Sequence, residues 1–228
     1  MWAAPETGLG SPCPGETTLN LLLDLPNEGC QVGALAVSAF SFAIVQAVGI
    51  DPIGPGDIQV FLTSSDTFGS QVLFLLPPSL TLTGSQLLQF RIGYVIDPPP
   101  SIIRDFQLDL LADSPVAPGT ATILASLCIG GTLPLDCNGI ESSVTVFHLG
   151  TPTGIQRTDR VTFDPVAVVG VDLLFTLSAN GGTSHIAGAG TAAQIVPEPG
   201  AWAMMLAGAG FLAAVRRRNG RRTCCQGQ

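Results

Sequence analysis

Clusters of proline, glycine and asparagine interrupt this chain so often that they leave room for strands and for few helices. They fall at residues 51–56, 77–78, 98–100, 115–119, 137–139 and 180–182. Each offers a locked φ or a left-handed position at which the backbone can reverse. The segments between them predict strands at 19–25, 34–46, 58–63, 71–76, 86–96, 102–111, 121–128, 143–149, 160–163, 166–177 and 184–195. Alternation is clearest where Phe106, Leu108 and Leu110 interleave with Gln107 and Asp109. Val144 and Val146 alternate with Ser143 and Thr145 until Phe147 breaks the pattern. No amphipathic helix separates these segments and no repeat of fixed period is visible. The expected fold is therefore all-β, an antiparallel β-sandwich ectodomain over residues 16–196, with residues 1–15 unstructured.

Charged residues make up 11% of the chain and hydrophobic ones 46%, which excludes a disordered polyelectrolyte. All 17 acidic residues precede Ala201, against four arginines there: Arg91, Arg104, Arg157 and Arg160. The resulting net charge of −13 over the first 200 residues disfavours nucleic acid and anionic polymers as partners.

Residues 197–228 obey a different physics. The 15 residues 201–215 carry no charge, and Trp202, Met204, Met205, Leu206, Phe211 and Leu212 would leave a helix there with no polar face. Such a helix spans about 22 Å, less than the ~30 Å hydrocarbon core. However, Arg216, Arg217, Arg218, Arg221 and Arg222 follow at once. They can snorkel to the headgroups and hold this end in the cytoplasm, so a single C-terminal transmembrane helix is expected. Pro197, Glu198 and Pro199 stand just before it, where two prolines keep the backbone extended and out of the helix.

The six cysteines fall as Cys13 with Cys30, Cys128 with Cys137, and the adjacent Cys224 and Cys225. Outside the cell the first two pairs are expected to be disulfides, against the alternative of buried thiols, whereas Cys224 and Cys225 face the cytoplasm reduced. Their spacings are not those of a metal site, and His148 and His185 stand far from either pair. The two histidines are candidate bases without an accompanying nucleophile motif. Asp105, Asp109 and Asp113 share one strand face and predict a hydrated acidic surface. Asp136, Asn138 and Glu141 could offer oxygens to calcium, although Cys137 already gives that loop a structural reason. Two tryptophans and one tyrosine leave little aromatic surface for sugars. No catalytic residue, cofactor or metal is expected.

In order, the Pro197-Glu198-Pro199 motif, the apolar run and the arginine cluster resemble the PEP-CTERM sorting signal of Gram-negative bacteria. The string Pro-Glu-Pro-Gly-Ala-Trp-Ala-Met-Met-Leu-Ala-Gly from Pro197 is close to a common form of it. The resemblance implies a substrate motif read by exosortase, a membrane-embedded cysteine protease or transpeptidase. It also implies an inner-membrane-anchored precursor, later moved to the cell surface or extracellular matrix of an organism that makes exopolysaccharide. From Cys30 onward the body resembles a recurrent PEP-CTERM ectodomain. Its marks are Glu28-Gly29-Cys30-Gln31-Val32-Gly33 with Phe40-Ser41-Phe42, then Phe90-Arg91-Ile92-Gly93-Tyr94. Leu127-Cys128-Ile129-Gly130-Gly131 with Cys137, the segment from Asp159 to Val166, and Asn180-Gly181-Gly182 complete them. That type implies a β scaffold and no assigned activity.

An exported chain should open with a signal peptide, yet residues 1–15 show no charged n-region, apolar core or small-residue cleavage site. The expectation is that translation starts upstream and Met1 lies at or just after the cleavage region. The expected function is a non-enzymatic surface or matrix protein associated with exopolysaccharide or biofilm. Its expected partners are exosortase, the membrane before processing, and extracellular polysaccharide. A cell-surface module binding carbohydrate or calcium is the alternative, and a secreted hydrolase the third reading.

Overall fold

A computed structural model describes residues 11–25, 29–33, 35–65, 69–97, 101–113, 118–132, 137–151 and 153–197. The elements run β1 (Glu16–Thr18), α1 (Leu19–Leu23), β2 (Cys30–Val32), β3 (Leu35–Val48), a 3₁₀ turn (Pro55–Asp57), β4 (Gln59–Ser65), β5 (Gly69–Leu75) and β6 (Leu82–Thr83). They continue with β7 (Leu87–Asp97), β8 (Ser101–Asp113), β9 (Thr120–Ile129), β10 (Ile140–His148), β11 (Ile155–Gln156), β12 (Thr158–Val166), β13 (Val169–Ser178), β14 (Thr183–Ser184) and β15 (Ile186–Pro197). A seven-stranded sheet has the order β11-β10-β9-β13-β7-β3-β2, and a six-stranded sheet the order β1-β4-β5-β15-β8-β12. The central pairs β9–β13, β13–β7 and β7–β3 are antiparallel, as are β4–β5, β5–β15 and β8–β12.

The two sheets share one core. Phe90, Ile92 and Tyr94 of β7 and Leu173, Phe175 and Leu177 of β13 face Phe74 of β5, Phe106 and Leu108 of β8 and Ala189 of β15, all buried. Phe90 stacks on Phe175 with ring centroids 4.5 Å apart, and Tyr94 packs against Phe74 at 5.7 Å. The edges of the sandwich are also tied, because Asp159 of β12 accepts the Thr145 amide of β10 at 2.8 Å. The described body is thus all-β with antiparallel sheets. The transmembrane helix expected at 201–215 lies outside the described residues. Among those described, no helix is long and apolar enough to cross a membrane.

The segment expected as a strand at 19–25 is instead helix α1. Leu19 and Leu22, one turn apart, are buried, while Leu21 is 59% exposed, a period of three that only a helix supplies. Cys13 is bonded to Cys30 and Cys128 to Cys137. The first bond holds residues ahead of β1 against β2, where Cys13 also donates its amide to the Gln31 carbonyl at 2.9 Å.

β3 changes face in mid-strand. Leu35 and Val37 point into the core, the register slips between Ser38 and Ser41, and Ala39 takes a left-handed φ of 52°. This bulge inverts the alternation, so Phe40 packs on Tyr94 and Phe42 on Phe90. Ser41 is thereby aimed outward.

Candidate functional site: a polar groove across the seven-stranded sheet

Side chains on the outer face of this sheet fall in rungs set by strand register. One rung is made of small residues: Ser41 pairs with Gly93, Gly93 with Asp172, Asp172 with Ser126, and Ser126 with Ser143. The rung crosses β3, β7, β13, β9 and β10, and its part over β7, β13, β9 and β10 forms a trench about 14 Å long at the usual strand spacing. Ser41 lies over Gly93, where a Cβ would come within 2.5 Å of Ser41 Oγ and force that hydroxyl to turn aside. The next rung carries Arg91, Leu174, Leu124 and Thr145, and the rung on the other side Val95, Gly170, Cys128 and Glu141. Between these walls lies a cavity of 410 Å³ whose lining includes Arg91, Ser126, Cys137, Glu141, Ser143 and Asp172.

Its floor holds an ion pair. Arg91 Nη1 donates to Asp172 Oδ2 at 2.7 Å, with the carboxylate side chain 9% exposed and the arginine 49%. Burial pushes the Asp172 carboxyl above the ordinary 3.8, and the charge and hydrogen bond of Arg91 pull in the opposite direction. Among the described residues Asp172 Oδ1 accepts no hydrogen bond, and the hydroxyls of Ser126 and Ser143 make none. The groove therefore presents acceptors and donors side by side.

The residues singled out by sequence lie elsewhere or at its margin. Asp105 and Asp109 do share one face of β8, but instead of a purely hydrated acidic surface both carboxylates hold protein partners. Arg160 Nη2 donates to Asp105 at 2.6 Å, leaving that carboxylate side chain 6% exposed. Gln107 and Thr158 donate to Asp109. The side chain of Asp113 and all of Asp136 lie outside the described residues, whereas Glu141 stands on the groove wall. His148 ends β10 opposite Ala121, and His185 lies between β14 and β15. Neither histidine lines the groove. Among the described residues no group of three or more His, Cys, Asp or Glu could hold a metal ion. Pro197 is the last residue of β15. Glu198, Pro199, Trp202, Met204, Met205, Leu206, Phe211, Leu212 and the arginines from Arg216 to Arg222 lie outside the described residues.

Sequence reasoning passed over Arg91 as a site residue and Asp172 altogether. The legible signal was a carboxylate flanked by Val171, Leu173, Leu174 and Phe175, since a charge in an otherwise apolar strand needs a partner.

The PEP-CTERM protein-sorting motif matches residues 196–222. The chain carries that motif, with Pro197, Glu198 and Pro199 inside it, and this marks an exported protein. No curated protein matches the chain. Among solved structures, a carbohydrate-binding module in complex with β-1,4-galactotriose superposes with a TM-score of 0.31 at 10% identity, covering 70% of this chain and 88% of that one. The enzymatically active domain of bacteriophage CBA120 tailspike protein 4 gives 0.27 at 13% identity, covering 73% and 20%. A carbohydrate-binding module with specific mannan recognition gives 0.26 at 9% identity, covering 71% and 95%. Superpositions this loose carry no functional argument.

Proposed function

We propose that this protein is processed by exosortase at Pro197, Glu198 and Pro199, and that its β-sandwich is then displayed as a non-enzymatic component of the cell surface or extracellular matrix, in association with exopolysaccharide. The observation that carries this reading is the sorting motif matched at residues 196–222. In the precursor, residues 201–215 enter the inner membrane and the arginine cluster holds the cytoplasmic side. Two disulfides fit an oxidising compartment. Intact-mass analysis of protein recovered outside the cell should show a chain that ends near Pro199 and lacks residues 201–228. Glu198→Ala combined with Pro199→Ala should block the cut and leave the protein with the inner-membrane fraction. External protein that retains the arginine cluster, or processing unchanged by the double substitution, overturns the proposal. The polar groove favours a second reading, a cell-surface binding module.

A further inference from the structure

We infer that the groove across the seven-stranded sheet binds a neutral saccharide chain, held through adjacent hydroxyls of one sugar by Asp172 and Arg91. The inference deepens the proposed association with extracellular polysaccharide and rests on that reading for the identity of the partner. Asp172 motivates it. A carboxylate more than nine-tenths buried on the outer face of a sheet, with one oxygen on Arg91 and the other without a protein donor among the described residues, still needs a donor. Oδ1 belongs to a side chain that lines the 410 Å³ cavity, so a hydroxyl entering the groove can supply that donor.

Arg91 supplies the other half. Its guanidinium has five N–H donors in a rigid fork, one of which is on Asp172, and it is half-exposed at the cavity wall. Adjacent hydroxyls of a sugar can donate from one oxygen and accept at the next, which complements a carboxylate and guanidinium standing side by side. Ser126 and Ser143 continue the polar floor toward β10. A trench about 14 Å long suits an oligomer better than a single ring.

Charge and geometry select against other ligands. Asp172 and Glu141 outweigh Arg91 within the groove, and the first 200 residues carry −13, so an anionic polymer is repelled. A cation would need more carboxylates than Asp172 and Glu141, the two that the described residues bring to the groove. The trench runs across the strands, whose backbone groups already pair in the sheet, so it gives an extended peptide no ladder to join.

The test uses the processed, exported protein on surfaces bearing galactan, mannan or dextran. Each polymer is presented intact and after periodate oxidation and borohydride reduction, which opens adjacent-hydroxyl pairs. At least one intact polymer should retain the protein, and its oxidised form should not. Asp172→Asn and Arg91→Gln should each weaken retention at least about tenfold, the scale of one lost charged hydrogen bond. Ser143→Trp, at an exposed position, fills the trench without touching the ion pair and should do the same; circular dichroism identifies which variants are folded. The inference fails if no polymer is retained, if the oxidised form binds equally, or if any folded variant among these three binds like wild type. Correctly processed protein that binds nothing overturns the groove and spares the sorting proposal. Retention by protein found uncleaved outside the cell does the reverse.

Discussion

Tyr94 and Thr191 join the two sheets at the centre of the core, and their hydrogen bond has a direction that dictates an order of mutational costs. Thr191 has one hydroxyl proton, and Oγ1 donates it to the Val72 carbonyl at 3.2 Å. The contact between Tyr94 Oη and Thr191 Oγ1, 2.5 Å long, must then be donated by the tyrosine. Both residues are buried, and desolvation raises the Tyr94 hydroxyl well above its ordinary 10.0, so it stays protonated. Tyr94→Phe removes the donor and leaves Thr191 bonded to Val72, which should cost about 1 kcal/mol, the net value of one hydrogen bond. Thr191→Val removes both bonds and leaves a buried O–H with nothing to donate to among the described residues, for about 2–4 kcal/mol. With Tyr94→Phe added, that orphan disappears, and the double variant should be less destabilised than Thr191→Val alone. Urea unfolding of the processed protein measures all three, and the cycle isolates the coupling. For a chain of this size Thr191→Val should lower Tm by roughly 5–12 °C. Additive losses in the double variant, or a greater loss for Tyr94→Phe than for Thr191→Val, would refute the assigned direction.

Two further outcomes are expected. Replacing Cys13 and Cys30 by serine opens a loop with a sequence separation of 17 and should cost about 3 kcal/mol, and replacing Cys128 and Cys137, with a separation of 9, about 2.5 kcal/mol. Peptide mapping without reductant checks both bonds, and free thiols at all four positions in exported protein contradict them. Asp172→Asn should change how stability depends on pH. Because burial raises the folded-state carboxyl above 3.8, its contribution is fully present below that value and is lost as pH rises through the raised one. The variant should therefore gain on wild type in urea midpoint as pH climbs from about 4 toward neutrality. A variant that loses ground over that interval overturns the account. Loss of the Arg91 partner shifts the whole curve, so the slope is the quantity to read.

The strands were legible because turn chemistry and alternation mark the same boundaries. Phe106, Leu108 and Leu110 are buried as their alternation implied, and so are Val144 and Val146. Phe147 breaks the pattern because it stands half-buried on the outer face. Two local signals misled. Thr18-Leu19-Asn20-Leu21-Leu22-Leu23 is too short for its periodicity to separate helix from strand, and only packing of Leu19 and Leu22 decides it. Pro165 suggested a break ahead of Val166, yet β12 runs through it with a register shift between Thr162 and Val166. β12 is an edge strand, and a proline without an amide is tolerated at such an irregularity.

The sorting motif and the groove differ in legibility for a physical reason. The sorting motif is a run of contiguous residues, so the match at residues 196–222 can be read directly along the chain. Arg91 and Asp172 are 81 residues apart and acquire theirs only through register, which sets Asp172 beside Gly93 and Leu174 beside Arg91. What sequence does expose is the need. Asp172 and Arg91 each interrupt an apolar strand, and the first 200 residues hold just four arginines from which to choose a partner. The same reasoning reaches Asp105 and Arg160, separated by 55 residues on the other sheet, and the structure shows why the two pairs are not equivalent. Arg160 lies over its carboxylate and takes Gln194 as a second partner at 3.2 Å, which closes the seam between β8, β12 and β15. Arg91 has Asp172 alone among the described residues, beside a cavity lined by Ser126, Ser142 and Ser143. Both pairs fasten neighbouring strands, and Arg91 with Asp172 in addition leaves hydrogen-bonding capacity facing the cavity, which is what a binding surface requires.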